Sequence, residues 1–261
     1  MQHEYAIRYA ELYRKHWWWR SRESAVVQTI RRLTDLPAGA RILDVGCGDA
    51  LSLPMLSSLA PDAEAWGIEI DEHTILPDNP LRDRIYNKPL GDAMYRGMTF
   101  DLITTLDVVE HIEDDDAAID DMMRMLNPGG WLVLTVPAGP SLWTAHDELN
   151  LHFRRYTRGG LTSLLERHGE LLDCRHLYNA LALPKVLLAA MHRFRPAKPS
   201  PPKSPGGPVN RILQAYCTAE STLAQKVRVP FGSSLIAVVR KPISLAMPKP
   251  QATESPLSAA A

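Results

Sequence analysis

Residues 41–50, Arg41-Ile42-Leu43-Asp44-Val45-Gly46-Cys47-Gly48-Asp49-Ala50, decide the fold of this chain. A short apolar run, Ile42, Leu43 and Val45, ends in two glycines one residue apart, and a helix-compatible segment follows. That is the order of a buried parallel strand, a tight turn and a helix N-terminus. Gly46 and Gly48 let the main chain take conformations that a Cβ forbids, so a ligand can lie directly against the backbone. The turn has Leu51 where a dinucleotide fingerprint needs its third glycine, and no Gly-Lys-Ser/Thr follows to grip a phosphate. A second apolar strand, Ala65-Trp66-Gly67-Ile68, ends in Glu69, an acid placed to accept hydrogen bonds from two ribose hydroxyls. Glycine turn, ribose acid and no phosphate clamp together point to a nucleoside ligand without a diphosphate.

The match to one family extends well past this turn. Leu43-Asp44-Val45-Gly46-Cys47-Gly48 resembles the first motif of the class I S-adenosylmethionine-dependent methyltransferases. Gly67-Ile68-Glu69-Ile70-Asp71 is similar to their ribose-binding strand end, and Gly91-Asp92-Ala93 to the position whose acid pairs with the adenine amine. Phe100-Asp101-Leu102-Ile103 looks like their fourth strand, and Leu106-Asp107-Val108-Val109-Glu110-His111-Ile112 like the segment after it. Leu126-Asn127-Pro128-Gly129-Gly130, then Trp131 to Val136, resembles the turn and fifth strand. These stretches occur in family order and cover residues 41–137 almost continuously.

The resemblance implies an α/β fold: a Rossmann-like three-layer sandwich around a mainly parallel seven-stranded sheet, with the last strand antiparallel. It implies S-adenosyl-L-methionine as cofactor, leaving as S-adenosyl-L-homocysteine. The residues it assigns to cofactor binding are Asp44, Gly46, Cys47, Gly48, Glu69, Ile70, Asp92, Ala93 and Leu106. The family commonly has a further glycine where Ala50 stands; an alanine fits there with a negative φ.

Composition narrows the partners. The chain has 261 residues, with 29 Lys and Arg against 30 Asp and Glu. Such a length suits one large domain, alone or with appendages. Near-neutral charge argues against a nucleic-acid partner, which draws on excess Lys and Arg. In related enzymes an Asn/Asp-Pro-Pro-aromatic tetrapeptide after the fourth strand serves methylation of base or glutamine amino groups. Thr105-Leu106-Asp107-Val108 stands there instead, which favours a small-molecule hydroxyl or carbon acceptor. No apolar run approaches the roughly 20 residues of a membrane span. Met1-Gln2-His3-Glu4-Tyr5 lacks the basic-then-apolar order of an export signal, and Cys47, Cys174 and Cys217 are scattered, so a cytoplasmic location is expected.

Residues 1–36 form an aromatic-rich helical cap in this reading. A helix is expected over residues 4–33, with Tyr5, Tyr9, Tyr13 and Trp17 recurring every four residues. The stripe either packs the helix on the flank of the sheet or forms a partial lid, with Trp18 against the substrate. The methyltransferase domain runs over 37–241, with strands expected near 41–45, 65–69, 84–87, 100–104 and 131–136 and helices between them. Glu113-Asp114-Asp115-Asp116 reads as a solvated helix N-terminus, where negative charge is favourable. A helix over 161–168, a strand over 170–177 and a last strand over 233–240 follow.

An insertion over about 178–230 separates those last two strands. Its first part, Leu181 to Phe194, is apolar; a Pro- and Lys-rich linker and a second helical segment, Val209 to Lys226, come after. Between 178 and 215 stand Lys185, Arg193, Arg195, Lys198, Lys203 and Arg211, with no acidic residue. This is either a helical cap with a loop or a basic, apolar surface for peripheral contact with anionic lipid or a lipid-linked substrate. Residues 242–261, rich in Pro, Ser and Ala, read as a disordered tail. The sequence carries no signal for an oligomeric state.

Methyl transfer from a sulfonium is an in-line displacement, which needs a held nucleophile and, for a hydroxyl or weakly acidic carbon, a base. His146-Asp147-x4-His152-x-Arg154-Arg155-Tyr156-Thr157 follows the fifth strand, where such groups belong. His152, His146 and His111 are the candidate catalytic residues. Asp147, Arg154 and Tyr156 join Trp18 as candidate substrate contacts, Asp147 also as a group that orients a histidine. Arg155 and Tyr156 could equally anchor backbone carbonyls, and Glu110 could tether a helix as well as touch substrate. No metal site is read, because His146, Asp147 and His152 are loosely spaced with no acid cluster beside them. The expected function is methyl transfer to a hydroxyl or carbon of a small, lipid- or saccharide-linked molecule. The alternative is a non-catalytic S-adenosylmethionine-binding or scaffold protein of the same fold. Leu51 argues against a nicotinamide oxidoreductase.

Overall fold

Ile42, Leu43 and Val45 are all buried in β1 (Arg41–Val45), as befits a strand covered on both faces. β1 pairs in parallel with β2 (Glu64–Ile68) on one side and β4 (Phe100–Leu106) on the other. β3 (Ile85–Tyr86) extends the sheet from β2, and β5 (Leu126–Pro137) extends it from β4. β6 (Glu170–Leu177) and β7 (Ser234–Arg240) complete it in the order β3-β2-β1-β4-β5-β7-β6, with β7 antiparallel to both of its neighbours. The computed structural model describes residues 12–194 and 204–243. The expected sandwich with a mainly parallel seven-stranded sheet is therefore the fold observed.

Alternation along the strands sends neighbours to opposite faces. Leu43, Val45, Ile103 and Leu134 pack with Ile119 and Met122 of α3 (Asp115–Arg124) and with Leu161 and Leu165 of α5 (Arg158–Leu165). Ile42, Leu102, Val133 and Val238 face the other way, onto Val26 and Ile30 of α1 (Trp17–Leu33) and Leu53 and Leu56 of α2 (Leu53–Ser57). Each large aliphatic side chain so buried contributes roughly 1.5–3 kcal/mol. Asp114 caps α3 by accepting from the Ala117 N–H at 3.0 Å, and Asp115 and Asp116 occupy its first turn.

Two expectations change. The N-terminal helix is interrupted at His16, whose extended backbone (φ −79, ψ 133) lets its ring accept from the Trp18 N–H, so that α1 starts afresh at Trp17. Tyr5 and Tyr9 lie outside the described residues. Between β2, β3 and β4 the connections carry 3-10 turns rather than α-helices. Pro77, Pro80 and Pro89 explain this, since each removes an N–H and obstructs the preceding turn. The insertion holds two helices, as expected, joined through residues outside the described set. These are α6 (Asn179–Phe194) and α7 (Gly207–Leu223), α4 being the short helix Ala145–Leu149.

α7 is bonded to the N-terminal segment. Asn210 accepts from the Trp17 N–H at 2.9 Å and donates to the Lys15 carbonyl at 2.8 Å, and Thr222 donates to Gln28 at 3.1 Å. α6 is inverted relative to an ordinary surface helix. Ala182 and Ala189 are buried, with Lys185 and His192 half-buried on the same face. Leu183 (70% exposed), Val186, Leu187 (63%), Leu188 and Met191 point to solvent.

Candidate active site

The parallel strands β1, β2 and β4 end on one rim, with Val45 in register with Ile68 and Thr105. Past β1, Gly46 (φ +74) and Gly48 (φ +54) take left-handed backbone. A Cβ on Gly46 would collide with Val108, and one on Gly67 with the Cys47 sulfur, so these glycines allow close packing beneath the turn. Beside Gly48 there is open space within 4 Å of where a Cβ would stand. Ala50 also has a positive φ, +56, not the negative value that suits alanine. This position therefore imposes the geometry a glycine would relax.

Asp44 is buried and its two carboxylate oxygens accept from the hydroxyls of Ser52 and Thr104, the latter at 2.6 Å. Burial raises its pKa against those two bonds. Its position is that of an anchor tying the β1 end to β4 and to the approach of α2. Glu69, also buried, accepts from the Gly48 N–H and the Asp71 N–H, each at 2.9 Å, and burial raises its pKa. Its carboxylate thus lies across the glycine turn. Next to it Ile70 is 69% exposed, an apolar side chain left bare beside a buried carboxylate. Asp92 follows β3 and accepts from the Met94 N–H at 2.8 Å, and Ala93 opens the 3-10 turn Ala93–Tyr95. Leu106 is buried at the end of β4. Open main chain, a bare apolar side chain and an acid at the β2 end fit a nucleoside cofactor. A cavity of about 690 Å³ lies beside the same turn, lined by Tyr13, Arg20, Asp49, Leu51 and Asn79 among others. Neither Gly48 nor Glu69 lines it, so it neighbours the cofactor rim without being part of it.

Nothing in the sequence singles out Arg22, yet it reaches the rim from α1. Its Nη1 donates to the Leu106 carbonyl at 3.0 Å and to Asp107 at 2.6 Å. Asp107, at φ +59, also accepts from Thr135 at 2.9 Å. The Arg22 guanidinium lies 4.9 Å from the centre of the Trp18 ring, so Trp18 is coupled to the rim through that arginine. Glu110 is 1% exposed, and neither of its carboxylate oxygens has a hydrogen-bond partner among the described residues. Burial, then Asp107, pushes its pKa well up. His111 is exposed, and its ring stands perpendicular to that of His152 with centroids 4.6 Å apart.

α4 is held by a capping box in which Thr144 and Asp147 bond reciprocally. Asp147 has no exposed surface. Its Oδ1 receives Arg155 Nη1 at 2.7 Å and stands 3.0 Å from His152 Nδ1. Burial alone would raise its pKa, but the His152 bond and the Arg155 charge hold it well below the ordinary carboxylate range. Arg155 further donates to the carbonyls of Ala138, Gly139 and Ser233, joining three segments. Arg154 turns the other way, to Asp115 at 2.9 Å, and the Tyr156 hydroxyl donates to the same carboxylate at 2.7 Å. His146 lies on the exposed side of α4, paired with Asn150 at 3.1 Å.

Of the three candidate histidines, the fold thus brings the rings of His111 and His152 into contact, while His146 pairs with Asn150 and feels Lys185 and His152 at longer range. Asp147 orients His152, while Arg154 and Tyr156 are engaged with α3. Lys185 is a further residue that sequence patterning placed at the margin of an apolar helix. It faces Arg155, Asp147 and Asp107, and burial pulls its pKa down to about 8.

The geometry and the relatives agree on a family. Residues 18–189 match the family model described as a methyltransferase domain. This chain belongs to the class I S-adenosylmethionine-dependent methyltransferases. A probable S-adenosylmethionine-dependent methyltransferase of Mycolicibacterium smegmatis is 27% identical over 65% of the chain and 66% of its own length. A ubiquinone biosynthesis O-methyltransferase of a Chelativorans species is 36% identical over 35% of the chain and 38% of its own length. The chain therefore spans less than two thirds of either relative. Among solved structures, a TehB-like SAM-dependent methyltransferase from Corynebacterium glutamicum superposes with a TM-score of 0.52 at 21% identity, covering 91% of this chain and 96% of that one. The plantazolicin methyltransferase BpumL, solved with S-adenosylhomocysteine, gives 0.52 at 14% identity over 85% of this chain and 83% of that one. At such identities these two methyltransferases share the fold with this chain.

Proposed function

We propose that this protein moves a methyl group from S-adenosylmethionine to a hydroxyl or carbon of a small, amphipathic molecule. The observation that carries this is Glu69, a buried carboxylate that lies across an open glycine turn and accepts from the backbone N–H groups of Gly48 and Asp71. Ribose hydroxyls are the natural donors to such a group at this strand end. When bound, the cofactor supplies an electrophilic methyl carbon on a sulfonium. The chain's own part is to fix the nucleoside with Glu69 and the bare face of Ile70, and to bring the acceptor to the His111–His152 pair, where its proton is released.

Isothermal calorimetry with S-adenosylhomocysteine tests the cofactor site. Charge-assisted hydrogen bonds are worth roughly 1.5–3 kcal/mol, so Glu69→Ala is expected to weaken binding about 10- to 100-fold. Unchanged affinity would remove the assignment. Binding without methyl turnover in any fraction of host extract would favour the scaffold alternative.

The inverted helix α6 supports an amphipathic or lipid-linked acceptor. Its outward residues Leu183, Val186, Leu187 and Met191 form an apolar surface, while its inward Lys185 faces the site. With six basic residues and no acid between 178 and 215, an anionic membrane surface is the complementary partner. Among the described residues no helix is long and apolar enough to cross a membrane, so this contact is peripheral in our reading, from the cytoplasmic side.

A further inference from the structure

The 3-10 turn after β4 and the loop after α4 bring three ligating groups to one point. One ligand atom each from Glu110, His111 and His152 lies within 4.8 Å of the others. We propose that these three residues bind a single divalent transition-metal ion of the zinc class, whose open positions take the oxygen of the acceptor. The ion site stands on geometry alone; only its role toward the acceptor rests on the methyltransferase reading.

Glu110 is the first argument. A carboxylate that is 1% exposed, with neither oxygen hydrogen-bonded among the described residues, lacks the partner that buried charge requires. The two arginines whose charge acts on Glu110 hydrogen-bond to other groups, Arg22 to Asp107 and the Leu106 carbonyl, Arg155 to Asp147 and three carbonyls. An ion between Glu110 and the histidines supplies the missing charge.

The second argument is what stands behind the ligands. His152 presents Nδ1 to Asp147, which leaves Nε2 for an ion, the carboxylate–histidine–metal arrangement that fixes ring orientation and raises basicity. Asp147 is itself fixed by Arg155 and by the capping box of α4. The Phe153 N–H donates to the Glu110 carbonyl at 2.8 Å, which clamps the two contributing segments together. Two ligands of one zinc-class ion, each at about 2.0–2.2 Å, stand at most about 4.4 Å apart. The three ligand atoms, within 4.8 Å of one another, already stand close to that limit.

Donor chemistry selects the ion. Two imidazoles and one carboxylate suit a borderline ion such as Zn²⁺, with the harder Mn²⁺ serving as a paramagnetic probe of the same ligands, whereas Mg²⁺ and Ca²⁺ prefer oxygen throughout. Three protein ligands leave coordination positions free, the pattern of a catalytic ion rather than a structural one. An acceptor hydroxyl bound there is acidified. Its proton passes to solvent, and the electron pair stays on oxygen to form the bond to the methyl carbon as the carbon–sulfur bond breaks. The two histidines then act through the ion and not as free bases.

The test uses the full-length chain stripped with a chelator. Titration with Zn²⁺ against a chromophoric chelator is expected to show one ion per chain, bound at least about tenfold more weakly in Glu110→Gln and in His111→Ala, and lost in the double variant His111→Ala/His152→Ala. Bound Mn²⁺ should enhance the relaxation of solvent water protons, which reports open positions; no enhancement would overturn the catalytic placement. Equal zinc binding by wild type and the double variant, or none by wild type, would overturn the site. S-adenosylhomocysteine binding is measured on the same preparations. Retained cofactor binding with no zinc site defeats the ion alone, and a zinc site without cofactor binding defeats the methyltransferase reading alone.

Discussion

Ala50 holds a backbone conformation, φ +56, that an L-side chain adopts at a cost of roughly 1–2 kcal/mol. Glycine pays little there, although it loses more entropy on folding. Ala50→Gly is therefore expected to raise stability by about 0.5–1 kcal/mol, read as a higher midpoint in urea unfolding. An unchanged or lower midpoint would show that the buried methyl group outweighs the backbone strain. At this scale the sequence was legible where main-chain geometry dictates residue type, as at Gly46 and Gly48. It was less so where side-chain direction decides. Asp147 follows His146 in the chain but serves His152, because the loop after α4 returns over the helix. Arg154 and Arg155 look equivalent, yet their neighbour Tyr156 sits in a short parallel bridge with Ala138, and extended backbone sends successive side chains to opposite sides. One arginine staples the interior and the other meets Asp115 on the outside.

Among the elements, the strands were the most readable, since buried β-branched and aliphatic runs have few other uses; β6 occupies the expected 170–177. The helices between β2, β3 and β4 were not, because turn prolines override the alternation of the fold. α6 was read as apolar without its polarity of face being visible, since small residues inward and large ones outward reverse the usual pattern. Its Lys185 yields a pH prediction. Arg155, Asp147 and Asp107 face this ammonium, and its pKa falls from 10.5 to about 8, chiefly by burial. A folded-state value below the unfolded one means that the charged form opposes folding. That opposition is complete below about pH 8 and fades as the pH rises toward 10.5. Lys185→Met should accordingly be more stable than wild type at pH 7, by on the order of 1 kcal/mol, with the difference closing above pH 10. Denaturation midpoints for both proteins at several pH values measure this; a constant difference would contradict it.

For the whole molecule, α1 and α7 form a bonded pair, so the N-terminal segment and the second half of the insertion behave as one layer on the sheet. That joint was hidden in the sequence because its partners stand some 190 residues apart, as in the Trp17–Asn210 bond with a separation of 193. α6 stays available for an outside surface. Vesicles containing anionic lipid are expected to co-sediment the protein at low salt, more weakly as salt screens the basic residues. Leu183→Glu/Leu187→Glu should reduce that association several-fold and leave S-adenosylhomocysteine binding unchanged. Association equal in wild type and variant would detach α6 from the membrane reading.

The two-residue strand β3 has a bearing on how copies of this protein meet. It finishes the sheet beside β2 with only Ile85 and Tyr86 in register. A neighbouring chain finds almost no exposed ladder there on which to add a strand of its own, so this border is a poor template for fibril growth. At this border, therefore, copies of the protein are expected to meet through side chains rather than by extending one another's sheet.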